Sequence, residues 1–190
     1  MGFCEIKNTI NHPDKIVIHG SDVSWRKQRD QLVNINQYHK SLDFPLSYFG
    51  YYVGYHRLIT NSRNIQCKLD SEVGAHTIGQ NSNSLGICVG FDGDIEYPHP
   101  DDYILLKRQV LAWQDMYVIP NSQVYFHRHF NISKTCPGSL LGVEWLKELL
   151  RRESHSKPEE QEKKQIEILQ QKISFLQRII NLYLKLKTLI

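Results

Sequence analysis

The sequence predicts an α/β fold, a single mixed β-sheet flanked by helices, with a C-terminal amphipathic helix appended. Three observations carry that expectation. Residues 15–19 (KIVIH) and 85–91 (LGICVGF) are short, near-continuous apolar runs, the pattern of buried strands. Residues 24–42 and 100–116 instead repeat their apolar side chains at helical spacing. After residue 153 the composition turns polar and then becomes a heptad-like apolar repeat.

Taken in order, the first strand (15–19) is β-branched and bounded by Pro13–Asp14 and Gly20. Ser24 is a fitting N-cap for the first helix, whose stripe is Trp25, Leu32, Ile35 and Tyr38, and Asp43-Phe44-Pro45 ends it. Tyr48, Phe49, Tyr51, Tyr52 and Tyr55 follow, an aromatic cluster suited to core and rim packing. Residues 57–60 (RLIT) and 64–69 (NIQCKL), joined through Asn61-Ser62, read as a hairpin. The polar loop 74–84 (GAHTIGQNSNS) leads into the buried strand 85–91. Pro100-Asp101 opens the second helix, with Ile104, Leu105, Val110, Leu111 and Trp113 as its apolar face. Residues 123–126 form the last strand. Residues 142–152 form a third helix with Val143, Leu146 and Leu150 on one side.

This organisation predicts a main domain over 1–153, a linker over 154–162 (SHSKPEEQE) and a helix over 163–190. In that helix Ile166, Leu169, Ile173, Leu176, Ile180 and Tyr183 alternate spacings of three and four. Further apolar residues widen the stripe, and Lys172, Arg178, Lys185 and Lys187 border it. The pattern suits self-association, contact with a membrane surface, or packing on the main domain.

The 190 residues carry a net charge of +3, too mild a bias to indicate a nucleic-acid partner. Cys4, Cys67, Cys88 and Cys136 are widely scattered, with no CxxC pair, and predict reduced thiols. The N-terminal stretch has no apolar core of the secretory kind, and no run is long enough to span a bilayer.

The densest chemistry lies in residues 124–140, VYFHRHFNISKTCPGSL. Histidine and cysteine are ligands zinc favours, yet this span cannot complete a site, so a further ligand must come from elsewhere. His19, at the end of the first strand, stands where functional side chains are common; taken alone, it reads as a satisfied structural histidine.

Four ordered motifs, IVIHGS (16–21), VGYHRLI (53–59), EVGAHTIGQNSNSLGICVGFDG (72–93) and FHRHFNISKTCPG (126–138), resemble those of the type 2 N-acetylmuramoyl-L-alanine amidases, the fold shared by phage lysozyme-type zinc amidases and peptidoglycan recognition proteins. The resemblance spans about residues 14–141 and implies Zn²⁺ held by His19, His127 and Cys136, with a fourth position open. It implies catalytic roles for Tyr55 and Lys134 and a substrate-groove position for His76. Where the family often has Arg-Asp after its second histidine ligand, this chain has Arg128-His129, so His129 competes with His127. The glutamate base of the cytoplasmic recycling branch has no counterpart in Ile87-Cys88-Val89. The activity implied is hydrolysis of the amide between N-acetylmuramic acid and L-alanine in peptidoglycan, by a phage or prophage endolysin held in the host cytoplasm before it reaches the cell wall. The alternatives are a non-catalytic peptidoglycan-binding module and a cytoplasmic wall-recycling amidase.

Overall fold

The computed structural model describes residues 10–27 and 30–152, together with 166, 167, 170 and 173. Five strands, β1 (Lys15–Gly20), β2 (Arg57–Thr60), β3 (Arg63–Gln66), β4 (Ser84–Val89) and β5 (Val124–Phe126), form one sheet in the order β3-β2-β4-β1-β5. Only β2 and β3 pair antiparallel; the other pairs are parallel, so the sheet is mixed, as the sequence predicts. The hairpin turns through Asn61 and Ser62, both at positive φ (53° and 56°), the geometry that matches strand twist.

The two-residue strand period divides the sheet into two faces. Ile16, Ile18, Leu85, Ile87 and Val89 pack under α2 (Pro100–Tyr117) and α3 (Val143–Leu150) in the main core, with Leu106, Val110, Trp113, Leu149 and Leu150. Leu58 and Cys88 face the other way, into a smaller cluster with Val53 and Cys67, against which Leu32 and Ile35 of α1 (Gln31–Ser41) and Tyr55 rest. His19 pairs in register with Cys88 and shares its face.

Helix boundaries and faces differ from the sequence expectation. Ser24 caps only a 3₁₀ turn (Trp25–Lys27), accepting from the Arg26 N–H at 3.2 Å. Asp30 caps α1, accepting from the N–H groups of Leu32 and Val33 at 3.1 and 3.3 Å. Tyr38 is 62% exposed, so the α1 stripe narrows to Leu32 and Ile35. On α2 the buried row is Leu106, Val110 and Trp113, spaced four and three, and it turns Ile104 outward. On α3, Val143 is exposed and Leu149 takes the buried position.

Two histidines brace the segment between α1 and β2. The Gly54 N–H donates to Nδ1 of His39 at 3.0 Å, and the Gly86 N–H donates to Nδ1 of His56 at 3.0 Å. An N–H can only donate, so both Nδ1 atoms are unprotonated. Burial pushes both histidines down to about 4. The unfolded chain protonates its histidines near pH 6.5, so between there and pH 4 it binds more protons than the native state. The native state is therefore fully favoured above that range and loses stability as pH falls through it. Fully buried His56 is expected to cost about 2 kcal/mol by pH 5. Denaturant titrations at pH 7 and pH 5 measure this. His56→Asn, which keeps an acceptor for the Gly86 N–H, should flatten the slope by about one proton.

The chain divides into two compact units, Met1–Arg151 and Arg152–Ile190. In the second, Ile166, Glu167, Gln170 and Ile173 are helical. The predicted linker over 154–162 and the remainder of the helix over 163–190 lie outside the described residues. Among the described residues no helix is long and apolar enough to cross a membrane.

Candidate metal centre

Parallel pairing of β1 with β5 aligns Ile18 with Phe126, so the residues that follow them, His19 within β1 and His127 just past the end of β5, emerge at the same edge of the sheet. Their rings lie 4.5 Å apart. The loop after β5 brings Cys136 back, with Sγ 3.8 Å from Nδ1 of His19. One ligand atom from each of the three residues lies within 4.8 Å of the others. A tetrahedral zinc with Zn–N near 2.0 Å and Zn–S near 2.3 Å separates its N and S ligands by about 3.5 Å, so the donor set fits that ion. Burial lowers the pKa of His19, reinforced by His76, His127 and Lys134; burial also lowers that of His127, with Lys134 adding to it. Both imidazoles are thereby kept neutral, the form that ligates. Burial pushes the Cys136 thiol up to about 11, a preference that a cation among these groups would reverse.

His129 stands outside the group. It closes the 3₁₀ turn His127–His129, where three residues complete a turn and side chains two apart point about 120° away from each other. Its Nδ1 folds back to the Phe126 N–H at 3.2 Å.

The cysteine loop is held from two sides. The Arg128 guanidinium donates to the carbonyls of Thr135 (3.1 Å), Gly138 (2.7 Å) and Leu141, and the Arg128 N–H donates to the Cys136 carbonyl at 2.9 Å. Asp94 accepts from the Ser139 N–H at 2.7 Å and from the Thr135 hydroxyl at 2.8 Å, which hold its carboxyl below the usual range. The Cys136–Pro137 peptide is cis. Gly138 has φ +139°, and a Cβ there would stand 2.0 Å from the Gly93 backbone, so only glycine lets the loop close. Arg128→Leu is expected to lower thermal stability by about 1–3 kcal/mol, with Arg128→Lys recovering only part of it, because one ammonium cannot span carbonyls that a planar fork reaches. Melting curves of the two variants test this.

Tyr55 is drawn to the group, its ring 4.9 Å from that of His19 and packed against the small cluster that holds the buried Cys88 thiol. Burial raises the pKa of its phenol, which remains a protonated donor at neutral pH. Lys134 is exposed and lines a cavity of about 610 Å³ together with Phe44, His76, Ile78, His127 and Phe130. His76 forms part of that wall, while its ring nitrogens point away into the protein, toward His19, Thr77 and Ser84. His56, beside Tyr55, faces the interior and is fully buried. Sequence reasoning gives no site role to Arg128, Asp94, Thr77 or Ser84, and reads Cys88 only as a reduced thiol. Arg128 was the most accessible of these, being the one strong multidentate donor beside the cysteine turn.

The sequence model of a family described as N-acetylmuramoyl-L-alanine amidase matches residues 9–139. No curated protein matches the chain. Among solved structures, the N-acetylmuramoyl-L-alanine amidase LysC from Clostridium intestinale URNW is similar at 23% identity and TM-score 0.61, over 74% of this chain and 86% of that one. The Ph2119 endolysin of a Thermus scotoductus bacteriophage is similar at 19% identity and TM-score 0.58, over 78% and 94%. Peptidoglycan recognition protein-LE, in complex with tracheal cytotoxin (monomeric diaminopimelic acid-type peptidoglycan), is similar at 20% identity and TM-score 0.59, over 71% and 81%. At these identities the likeness concerns the fold.

Proposed function

The chain belongs to the N-acetylmuramoyl-L-alanine amidase family, and from that premise we propose that it is a zinc-dependent hydrolase of the amide between N-acetylmuramic acid and L-alanine in peptidoglycan. The observation that carries the reading is the His19–His127–Cys136 group beside an open cavity of ligand size. These three residues would hold the zinc, which when bound supplies Lewis acidity.

The rest of the chemistry falls to side chains around the cavity. A water adds to the lactyl carbonyl carbon, the C–N bond to L-alanine breaks, and the departing amine takes a proton. Negative charge develops on the carbonyl oxygen. The Lys134 ammonium faces the cavity, and the partly buried Tyr55 phenol, beside His19, stays protonated, so both are donors suited to that charge. His76 has its ring nitrogens engaged in the wall, which leaves Lys134 as the cavity-lining residue suited to protonate the amine.

Digestion of purified cell walls tests the reading. New L-alanine amino groups are expected when zinc is supplied, and their absence would sink it. A second reading is a binding module without catalysis, favoured by a neighbour solved with peptidoglycan bound. The complete two-histidine, one-cysteine group favours the enzyme. Binding to walls with no release of amino groups would favour the module instead.

As for setting, similarity to a phage endolysin supports the same role here, with accumulation in the host cytoplasm before release to the wall. Turnover of soluble anhydro-muropeptides with intact sacculi untouched would point to wall recycling. We further propose self-association or membrane-surface contact through residues 163–190, the region of the heptad spacing. Truncation after Glu153 that leaves the light-scattering mass per chain unchanged would reject self-association. Unchanged binding to anionic vesicles would reject the membrane role.

A further inference from the structure

The geometry points to His76 as a positioning residue that fixes the tautomer and orientation of His19 for metal binding, through a hydrogen-bond relay that starts at a backbone carbonyl. The inference rests on the proposed metal site and concerns a residue outside the ligand set.

The relay can be followed proton by proton. The Ser84 hydroxyl donates to the Gln80 carbonyl at 2.6 Å, so toward His76 its oxygen can only accept. Nε2 of His76, 3.4 Å away, therefore carries the hydrogen and Nδ1 is bare. That bare Nδ1 faces Nε2 of His19 at 3.2 Å. It is also 2.9 Å from the Thr77 hydroxyl, itself 3.4 Å from His19 Nε2. Whether the contact is direct or runs through Thr77, His19 Nε2 is the donor and His76 Nδ1 the final acceptor. His19 is left with its lone pair on Nδ1, the atom that faces Cys136 Sγ. A ligating imidazole needs this arrangement, with one nitrogen free for the metal and the other donating to a fixed acceptor.

The site is shaped around this ring. A Cβ on Gly86 or on Gly74 would stand 2.5 Å from ring atoms of His76, so both positions leave it room. The Asn81 carboxamide accepts from the N–H groups of His76 and Thr77 at 2.9 and 2.8 Å, which pins the backbone beneath. The His19 and His76 rings meet edge to face, 5.2 Å apart and at 86°. A residue built to touch substrate would keep a ring nitrogen on the cavity side, and His76 turns both inward.

Zinc affinity of the full chain, measured by competition with a chromogenic chelator, tests the assignment. The wild type is expected to bind one zinc, and His76→Ala to bind it about 10- to 100-fold more weakly. His76→Asn, whose Oδ1 can stand where Nδ1 stood, should recover most of the loss, a recovery that a merely space-filling role does not provide. If His76→Ala fails to fold, Ser84→Ala serves instead, since it keeps the ring and removes the acceptor that sets its tautomer; its affinity should fall in the same direction. Unchanged zinc affinity in the folded variant overturns the inference, and a raised KM with unchanged affinity would assign His76 to the substrate. If the wild type takes up no zinc, the metal site itself fails. If Cys136→Ala loses zinc while His76→Ala keeps wild-type affinity, the site stands and only this inference falls.

Discussion

Cys136→Ala is expected to lose zinc and, with it, wall hydrolysis. Cys136 is the one sulfur in the group, and it reaches His19 across 117 positions of sequence. Outer-shell partners of a metal are worth about 10- to 100-fold in affinity, so removing one of three direct ligands should cost more than that. The remaining imidazoles alone make a poor site for an ion that prefers four-coordination. The fold should survive. Arg128 and Asp94 grip the loop through the backbone and side chains of neighbouring residues, Thr135, Gly138, Ser139 and Leu141, and none of those bonds uses the cysteine side chain. Metal analysis of the purified variant beside a turbidity assay on cell walls measures both effects. Retained zinc together with retained lysis would undo the assignment of the centre.

Lys134→Met should separate charge stabilisation from metal binding. Loss of one donor aimed at a developing oxyanion costs about 10²- to 10³-fold in rate. The side chain is exposed, so its removal leaves the core intact. Its positive charge opposes protonation of both His19 and His127, and it would oppose a bound cation in the same way. Zinc affinity should therefore hold or rise while turnover falls, the opposite pairing from Cys136→Ala. Rate and chelator competition on one preparation give both numbers. A loss of zinc in this variant, or full activity, would remove Lys134 from its role.

Much of the fold is legible locally. The hairpin shows because Arg57–Thr60 and Arg63–Gln66 are separated by two residues able to take positive φ. β1 and β4 show because parallel strands covered on both faces are apolar without interruption. The helices show by period, but their edges and faces do not. Ser24 and Asp30 are both competent caps, and the choice lay in where the chain could begin a continuous helix over the sheet. Ile104 and Leu106 are equally apolar, and packing under the sheet selected Leu106.

The same division runs through the candidate site. Sequence by itself determined the residue types, two histidines at strand ends and a cysteine in a Cys-Pro-Gly turn, and the order of motifs in which they stand. Tertiary structure alone decided that β1 and β5 lie side by side and carry His19 and His127 to one edge. It decided that a 3₁₀ turn sends His127 inward and His129 back to Phe126, that Arg128 ties down the cysteine loop, and that the Gln80 carbonyl, through Ser84 and His76, sets the proton on His19. The physical reason is range. Periodicity and capping act over a few residues and leave their mark in the local pattern. Ligand geometry and hydrogen-bond direction depend on distances between groups far apart along the chain, and those exist only once the sheet is formed.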